Sequence, residues 1–202
     1  MTKSYKEHFG NRKKEFYYKE AKKIEVRARS FFKLEQIDKK YDILKENLKI
    51  IDLGCAPGGW LEYIDQKIKK AEIIGIDLLE VKKQQEFSKN IKIIQDDFNN
   101  IKEYLETEGE YFDLVLSDMA PEFSGNSAFD KGNTHKLNIK TINFSKIYLK
   151  KGGNLIFKSF EGEDLERVRN YAKKIFSIIK EFKPQSSQKK SAEVFILCIR
   201  KK

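Results

Sequence analysis

Apolar stretches recur along this chain at 49–53, 72–77, 91–95, 112–117, 154–160 and 194–199, each bounded by polar or turn-forming residues. Runs such as KIIDL, EIIGI and DLVLS are short, β-branched and without polar alternation. That pattern predicts strands buried on both faces, as in a parallel sheet covered by helices. Between them the period changes. Phe31, Leu34 and Ile37 fall at helical spacing and predict a helix over 28–40, with further helices over 60–70, 134–150 and 163–176. SIIKEFKP after Phe176 reads as another strand ended by Pro184, and the polar loop 184–191 makes the last two strands an antiparallel hairpin. The alternation specifies α/β architecture: a doubly wound, mostly parallel sheet with an antiparallel C-terminal edge strand. At 202 residues, one domain over 27–202 is expected, preceded by an extension over 1–26.

The segment IDLGCAPGGW ends the first strand at Asp52 and turns through Gly54, Gly58 and Gly59 before Trp60 opens a helix. Glycines at a first strand-to-helix turn let backbone approach a nucleotide at the carboxyl edge of the sheet. The spacing departs from G-x-G-x-x-G, which argues against NAD, and no Lys-Ser or Lys-Thr pair follows to make a phosphate-binding Walker loop. The second strand ends at Asp77, where a carboxylate can accept ribose hydroxyls. The third ends in QDDF, where Asp97 could accept from an adenine amino group. Each acid alone is as well read as a helix cap. In this order they point to an adenosine ligand.

Charge narrows the partner. Lys and Arg number 41 against 31 Asp and Glu, a formal +10, so a polyanion is expected. In 1–26, Tyr5, Phe9, Phe16, Tyr17 and Tyr18 lie among Lys6, Arg12, Lys13, Lys14, Lys19, Lys22 and Lys23, a mixture suited to phosphates and unpaired bases and equally to an amphipathic helix packed on the domain. With Cys55, Cys198, His8 and His135 as the whole complement of those types, neither a disulfide framework nor a catalytic metal is expected. No apolar run approaches the roughly 20 residues that span a bilayer, and the N-terminus carries charges where a secretory signal is apolar. A cytoplasmic address is expected.

Asp118 and Lys158 fall near the ends of the fourth and fifth strands, Lys33 precedes the sheet and Glu193 follows it. From Tyr5 to Lys201, through RARSFFKL, DLGCAPGGW, IDLLE, QDDF, SDMAP, FKSFEGE and SAEVFIL, the chain resembles the FtsJ family of ribose 2′-O-methyltransferases, also known as the RrmJ heat-shock methyltransferases. The resemblance implies a Rossmann-like class I methyltransferase fold and S-adenosyl-L-methionine as cofactor, released as S-adenosyl-L-homocysteine. It implies a catalytic set of Lys33, Asp118, Lys158 and Glu193, and cofactor contacts from Gly58, Trp60, Asp77, Asp97 and Asp118. A ribose hydroxyl is a poor nucleophile that must be aligned with the methyl and lose its proton. Lys158 is the expected base or orienter, and the residue types leave those two roles open.

The substrate implied is RNA, foremost a uridine of large-subunit ribosomal RNA in a ribosomal subunit or its precursor. The protein is expected to act as a monomer, away from membranes. Anticodon-loop riboses of tRNA are the alternative within the family. Outside it, a noncatalytic RNA-binding assembly factor would not need Lys33, Asp118, Lys158 and Glu193 together, and a nicotinamide oxidoreductase would leave the positive charge unexplained. The chain departs from the family at Asp130, Lys131, Gly132 and Asn133, where relatives commonly carry an arginine after the aspartate. It departs again at Gln188, where an arginine is frequent, and at Cys55, often alanine.

Overall fold

The computed structural model describes residues 29–81, 87–106, 109–121, 127–186 and 191–202, with backbone alone at 127–131 and 163. The extension over 1–26 and Gln188 lie outside the described residues. The elements run α1 (Phe31–Tyr41), β1 (Lys49–Leu53), α2 (Gly59–Lys67), β2 (Glu72–Asp77), β3 (Ile91–Gln95), a 3-10 helix (Phe98–Tyr104), β4 (Phe112–Ser117), α3 (Ser127–Tyr148), β5 (Leu149–Phe160), α4 (Glu163–Ile175), β6 (Phe176–Phe182) and β7 (Glu193–Lys201). Seven strands form one sheet in the order β3-β2-β1-β4-β5-β7-β6. β1 pairs in parallel with β2 and β4, and β7 is antiparallel to both β5 and β6.

The hairpin forms as expected, with one difference in placement. The antiparallel C-terminal strand is not the edge strand: β7 lies inside, between β5 and β6, and β6 takes the edge. Composition explains the order. Val194 to Cys198 are all buried, a run that must be covered on both faces, whereas β6 carries exposed Ser177, Lys180 and Glu181.

Successive residues of each central strand feed two different cores, which is why these strands are continuously apolar. Ile51, Leu53, Val115, Leu155 and Phe157 pack under α3 and α4 with Ile142, Phe144, Val168 and Ala172. Ile50, Leu114, Leu116, Ile156, Phe195 and Leu197 pack under α1 and α2 with Phe31, Leu34, Ile37, Trp60, Leu61 and Ile64. The strand order reverses between β1 and β4, and a doubly wound sheet opens its ligand crevice at the carboxyl ends beside such a reversal.

Candidate active site

Two adjoining cavities occupy that crevice. The larger, about 570 Å³, is bounded by Gly54 and Ala56 after β1, Asp77 to Leu79 after β2, Asp96 to Asn99 after β3, and Asp118 to Pro121 after β4, with Lys136 and Lys140 of α3 on its far side. The smaller, about 260 Å³, is lined by Arg29, Ser30, Lys33, Asp52, Cys55, Pro57 and Trp60. Gly54, Ala56 and Asp118 line both, so the cavities meet over the ends of β1 and β4.

The first loop is pinned so that its backbone forms the wall between them. Gly54 N–H donates to Ile76 O at 2.8 Å, and Ala56 N–H donates to Asp77 Oδ2 at 2.8 Å. Asp77 Oδ1 accepts from Leu79 N–H, also at 2.8 Å, which fixes the carboxylate in the cleft with one lone pair per oxygen still available. Asp96 differs. Hydrogen bonds from the Tyr104 hydroxyl and from Asn100 hold its carboxyl below the usual range, and both its oxygens are engaged. Asp97 Oδ1 caps the 3-10 helix through Asn99 N–H at 2.9 Å, which leaves more acceptor capacity on Asp97 than on Asp96.

At the other end, four charges separated widely in sequence converge. Lys33 Nζ donates to Glu193 Oε2 at 2.8 Å and lies 3.7 Å from Asp118 Oδ1. Lys158 Nζ lies 3.0 Å from the same oxygen and donates to the Asp118 carbonyl. The Oδ1 contact is an ion pair rather than an aligned hydrogen bond, so Asp118 keeps acceptor capacity between two ammonium groups. Lys33 is 8% exposed, unusual for a lysine and sustainable because its charge is paired.

The surrounding packing holds these groups still. Buried Asp38 accepts from Tyr63 Oη at 2.9 Å and Leu44 N–H at 3.0 Å, tying α1 to α2. Trp60 donates its indole N–H to Ser30 O at 2.9 Å and packs on Phe195, whose ring lies 5.7 Å beneath Lys33 Nζ. Asn138 of α3 donates to Ser159 Oγ at 2.8 Å, next to Lys158.

The structure thus brings Lys33, Asp118, Lys158 and Glu193 together, and it sets Asp77, Asp97 and Asp118 on the larger cavity. Gly58 caps α2 at φ +106°, in the left-handed region, but Gly54 is the glycine that lines both cavities. Trp60 is buried with its donor engaged by Ser30, so its indole locks α1 onto α2.

One residue escaped the sequence reading. Asp52 is 1% exposed, and both carboxylate oxygens are buried with no hydrogen-bond partner. Burial, with the charges of Asp118 and Asp77 beside it, pushes its pKa well above the usual carboxylate range. A buried polar group without a partner calls for an explanation. Here it lines the smaller cavity, where a cationic ligand group would complete it. The signal was a carboxylate inside the otherwise apolar IIDL.

The sequence profile described as FtsJ-like methyltransferase matches residues 26–201. A relative from Methanocaldococcus jannaschii, named ribosomal RNA large subunit methyltransferase E, is 36% identical over 94% of this chain and 79% of its own length. Its namesake from Buchnera aphidicola is 39% identical over 96% and 93%. Among solved structures, a ribosomal RNA methyltransferase from Plasmodium falciparum superposes with a TM-score of 0.72 at 29% identity, covering 87% of this chain and 98% of that one. A fibrillarin/Nop5p complex at 16% identity and TM-score 0.58 shares the fold. With a profile match that spans the whole sheet and relatives 36–39% identical over nearly the whole chain, the chain belongs to the FtsJ-like methyltransferase family.

Proposed function

We propose that this enzyme transfers the methyl group of S-adenosyl-L-methionine to a ribose 2′-hydroxyl of RNA, with a uridine of large-subunit ribosomal RNA as the target. The observation that carries the reading is the convergence of Lys33, Asp118, Lys158 and Glu193 beside a cleft built for a nucleoside. The names of the relatives, at 36–39% identity over nearly the whole chain, support the ribosomal substrate.

The residues fit the cofactor. Asp77 suits its ribose hydroxyls, Asp97 its adenine amino group, and the unpartnered oxygens of Asp52 suit the ammonium of its methionyl part. When bound, it supplies a methyl group made electrophilic by a sulfonium. Asp118 lines both cavities and offers a carboxylate to that positive charge. Lys158 aligns the ribose oxygen and stands where it can take up that oxygen's proton. Lys33, clamped by Glu193, holds the other side of Asp118 and keeps the carboxylate in place. With side chains only 9–17% exposed, these charges act in a poorly solvated pocket where electrostatic steering is stronger than in water.

Incubation with a labelled methyl donor and isolated large ribosomal subunits, naked ribosomal RNA or tRNA, followed by mapping of the modified ribose, tests the reading. Label on a 2′-oxygen of large-subunit RNA is expected. Label confined to tRNA would move the substrate to the anticodon loop, and label on a base would defeat the ribose assignment. Lys158→Ala should lower turnover by roughly 10²- to 10⁴-fold, the range for loss of a positioned proton acceptor, with affinity for S-adenosyl-L-homocysteine unchanged. Near-normal turnover by that variant would remove Lys158 from the mechanism.

A further inference from the structure

Tyr41, at the end of α1, and Phe182, at the end of β6, meet edge to face with ring centroids 5.8 Å apart at 89°. Lys40 Nζ lies 5.3 Å from the Tyr41 ring centroid and 4.9 Å from that of Phe182, and Lys180 Nζ lies 5.4 Å from Tyr41. We propose that this cluster is a platform for an unpaired nucleotide flanking the methylated ribose, its rings stacking the base and its ammonium groups taking the adjoining phosphates. The assignment rests on RNA being the substrate.

Position is the first support. Lys158 is in register with Phe195, and Phe195 with Phe182, so the platform shares a row of the sheet with the catalytic lysine, two strands away. Two interstrand spacings are about 10 Å. Residues paired across strands share a face, here the one that α1 covers. Along α1 itself, the eight steps from Lys33 to Tyr41 rise about 12 Å. Phe195, between Lys158 and Phe182, is buried and both rings of the platform are half-buried against the same core, so RNA would reach them along the outside of α1, over roughly that 12 Å.

Charge is the second. Among the described residues neither Lys40 nor Lys180 has an ion-pair partner. The nearby acids are engaged elsewhere: Glu35 with Lys39 at 2.7 Å, Asp42 with Lys45, and Glu181, on the opposite face of β6, with Arg169 at 2.8 Å. Another lysine–tyrosine contact shows what a closed structural cluster looks like. Lys49 sits 3.9 Å from the Tyr111 ring centroid, but there Glu72 accepts from the Tyr111 hydroxyl at 2.5 Å and pairs with Lys49 at 3.2 Å. The Tyr41 cluster has cations and rings without the acid. Stacking of a base on such a ring outweighs an exposed ammonium on it, so RNA can displace the lysines onto phosphate.

The rival is a packing clip that joins α1 to β6 and meets no RNA. Full-length protein is titrated with fluorescein-labelled decauridylate over a salt series and photocrosslinked to decauridylate carrying 5-iodouridine. Crosslinks to Tyr41 or Phe182 are expected. The Lys40→Gln/Lys180→Gln double variant should bind decauridylate roughly tenfold more weakly near 0.1 M salt, with a salt slope lower by about 1.4, two phosphate contacts at about 0.7 each. Its affinity for S-adenosyl-L-homocysteine, measured by calorimetry, should match the parent. An unchanged slope and affinity, or crosslinks at other residues alone, would overturn the platform and leave the clip. Failure of the parent protein to bind S-adenosyl-L-homocysteine would count instead against the methyl-transfer reading.

Discussion

Asp52, buried and without a hydrogen-bond partner, would link folding to the proposed cofactor binding through one side chain. Its raised pKa means that the folded protein keeps this proton to a higher pH than the unfolded chain does. The stability tied to this group is therefore present below the ordinary carboxylate range and lost as pH rises through the raised folded value. An ammonium placed against the carboxylate favours its charged form, so binding an amine-bearing cofactor should expel a proton, and affinity should climb with pH until the free protein is itself ionised there. Calorimetry of S-adenosyl-L-homocysteine in buffers of different ionisation enthalpy should detect that release. Asp52→Asn should abolish it and weaken binding by about 1.5–3 kcal/mol, the worth of a charge-assisted hydrogen bond. Equal proton release by the variant would place the titrating group elsewhere.

At the scale of the element, the first strand-to-helix loop leaves little room for change. Gly54 has φ +73°, and a Cβ built on it would come within 2.2 Å of Met119 Cγ. Gly54→Ala should cost about 1–2 kcal/mol for the left-handed backbone, with a further loss of cofactor affinity as the flexible Met119 is pushed toward the cleft it lines. Thermal unfolding and calorimetry measure the two effects separately, and a variant with parental stability would mean that the loop relaxes out of the left-handed region. Elements of this kind were legible where the pattern was strong. β1, β2 and β4 occupy the predicted spans because double-sided burial demands uninterrupted apolar runs, whereas β3 keeps its predicted span as an edge strand with only Ile94 buried. Where polar residues carry the structure, the pattern fell silent. α3 begins at Ser127 rather than 134, through a stretch containing Asp130, Lys131 and Gly132. β5 begins at Leu149 rather than 154, because Lys150 to Gly153 pass through a register irregularity opposite Phe112 and Leu114. The 3-10 helix over Phe98–Tyr104 was missed, and Asp97 is its cap.

On the scale of the whole molecule, the site is an outcome of topology that no local window contains. Lys33 and Glu193 pair across 160 positions because β7 enters the sheet beside β5 and begins at the end where β5 finishes. The types of the four charged residues stood in the family motifs, but the convergence of their charges and the orphaned carboxylate of Asp52 required the fold. The larger cavity draws its walls from the ends of β1, β2, β3 and β4 and from α3, so a ligand there bridges elements contributed by both cores. Those cores share one sheet and should unfold together, in a single calorimetric transition. S-adenosyl-L-homocysteine at 100 times its Kd should add about 2.7 kcal/mol of stability, and at roughly 2–4 °C per kcal/mol for a chain of this size the midpoint should rise by about 5–10 °C. At the same ligand concentration Asp52→Asn should show a smaller rise. Two separate transitions, of which ligand moves only one, would mean that the layers on opposite faces of the sheet unfold independently and that the cleft belongs energetically to one of them.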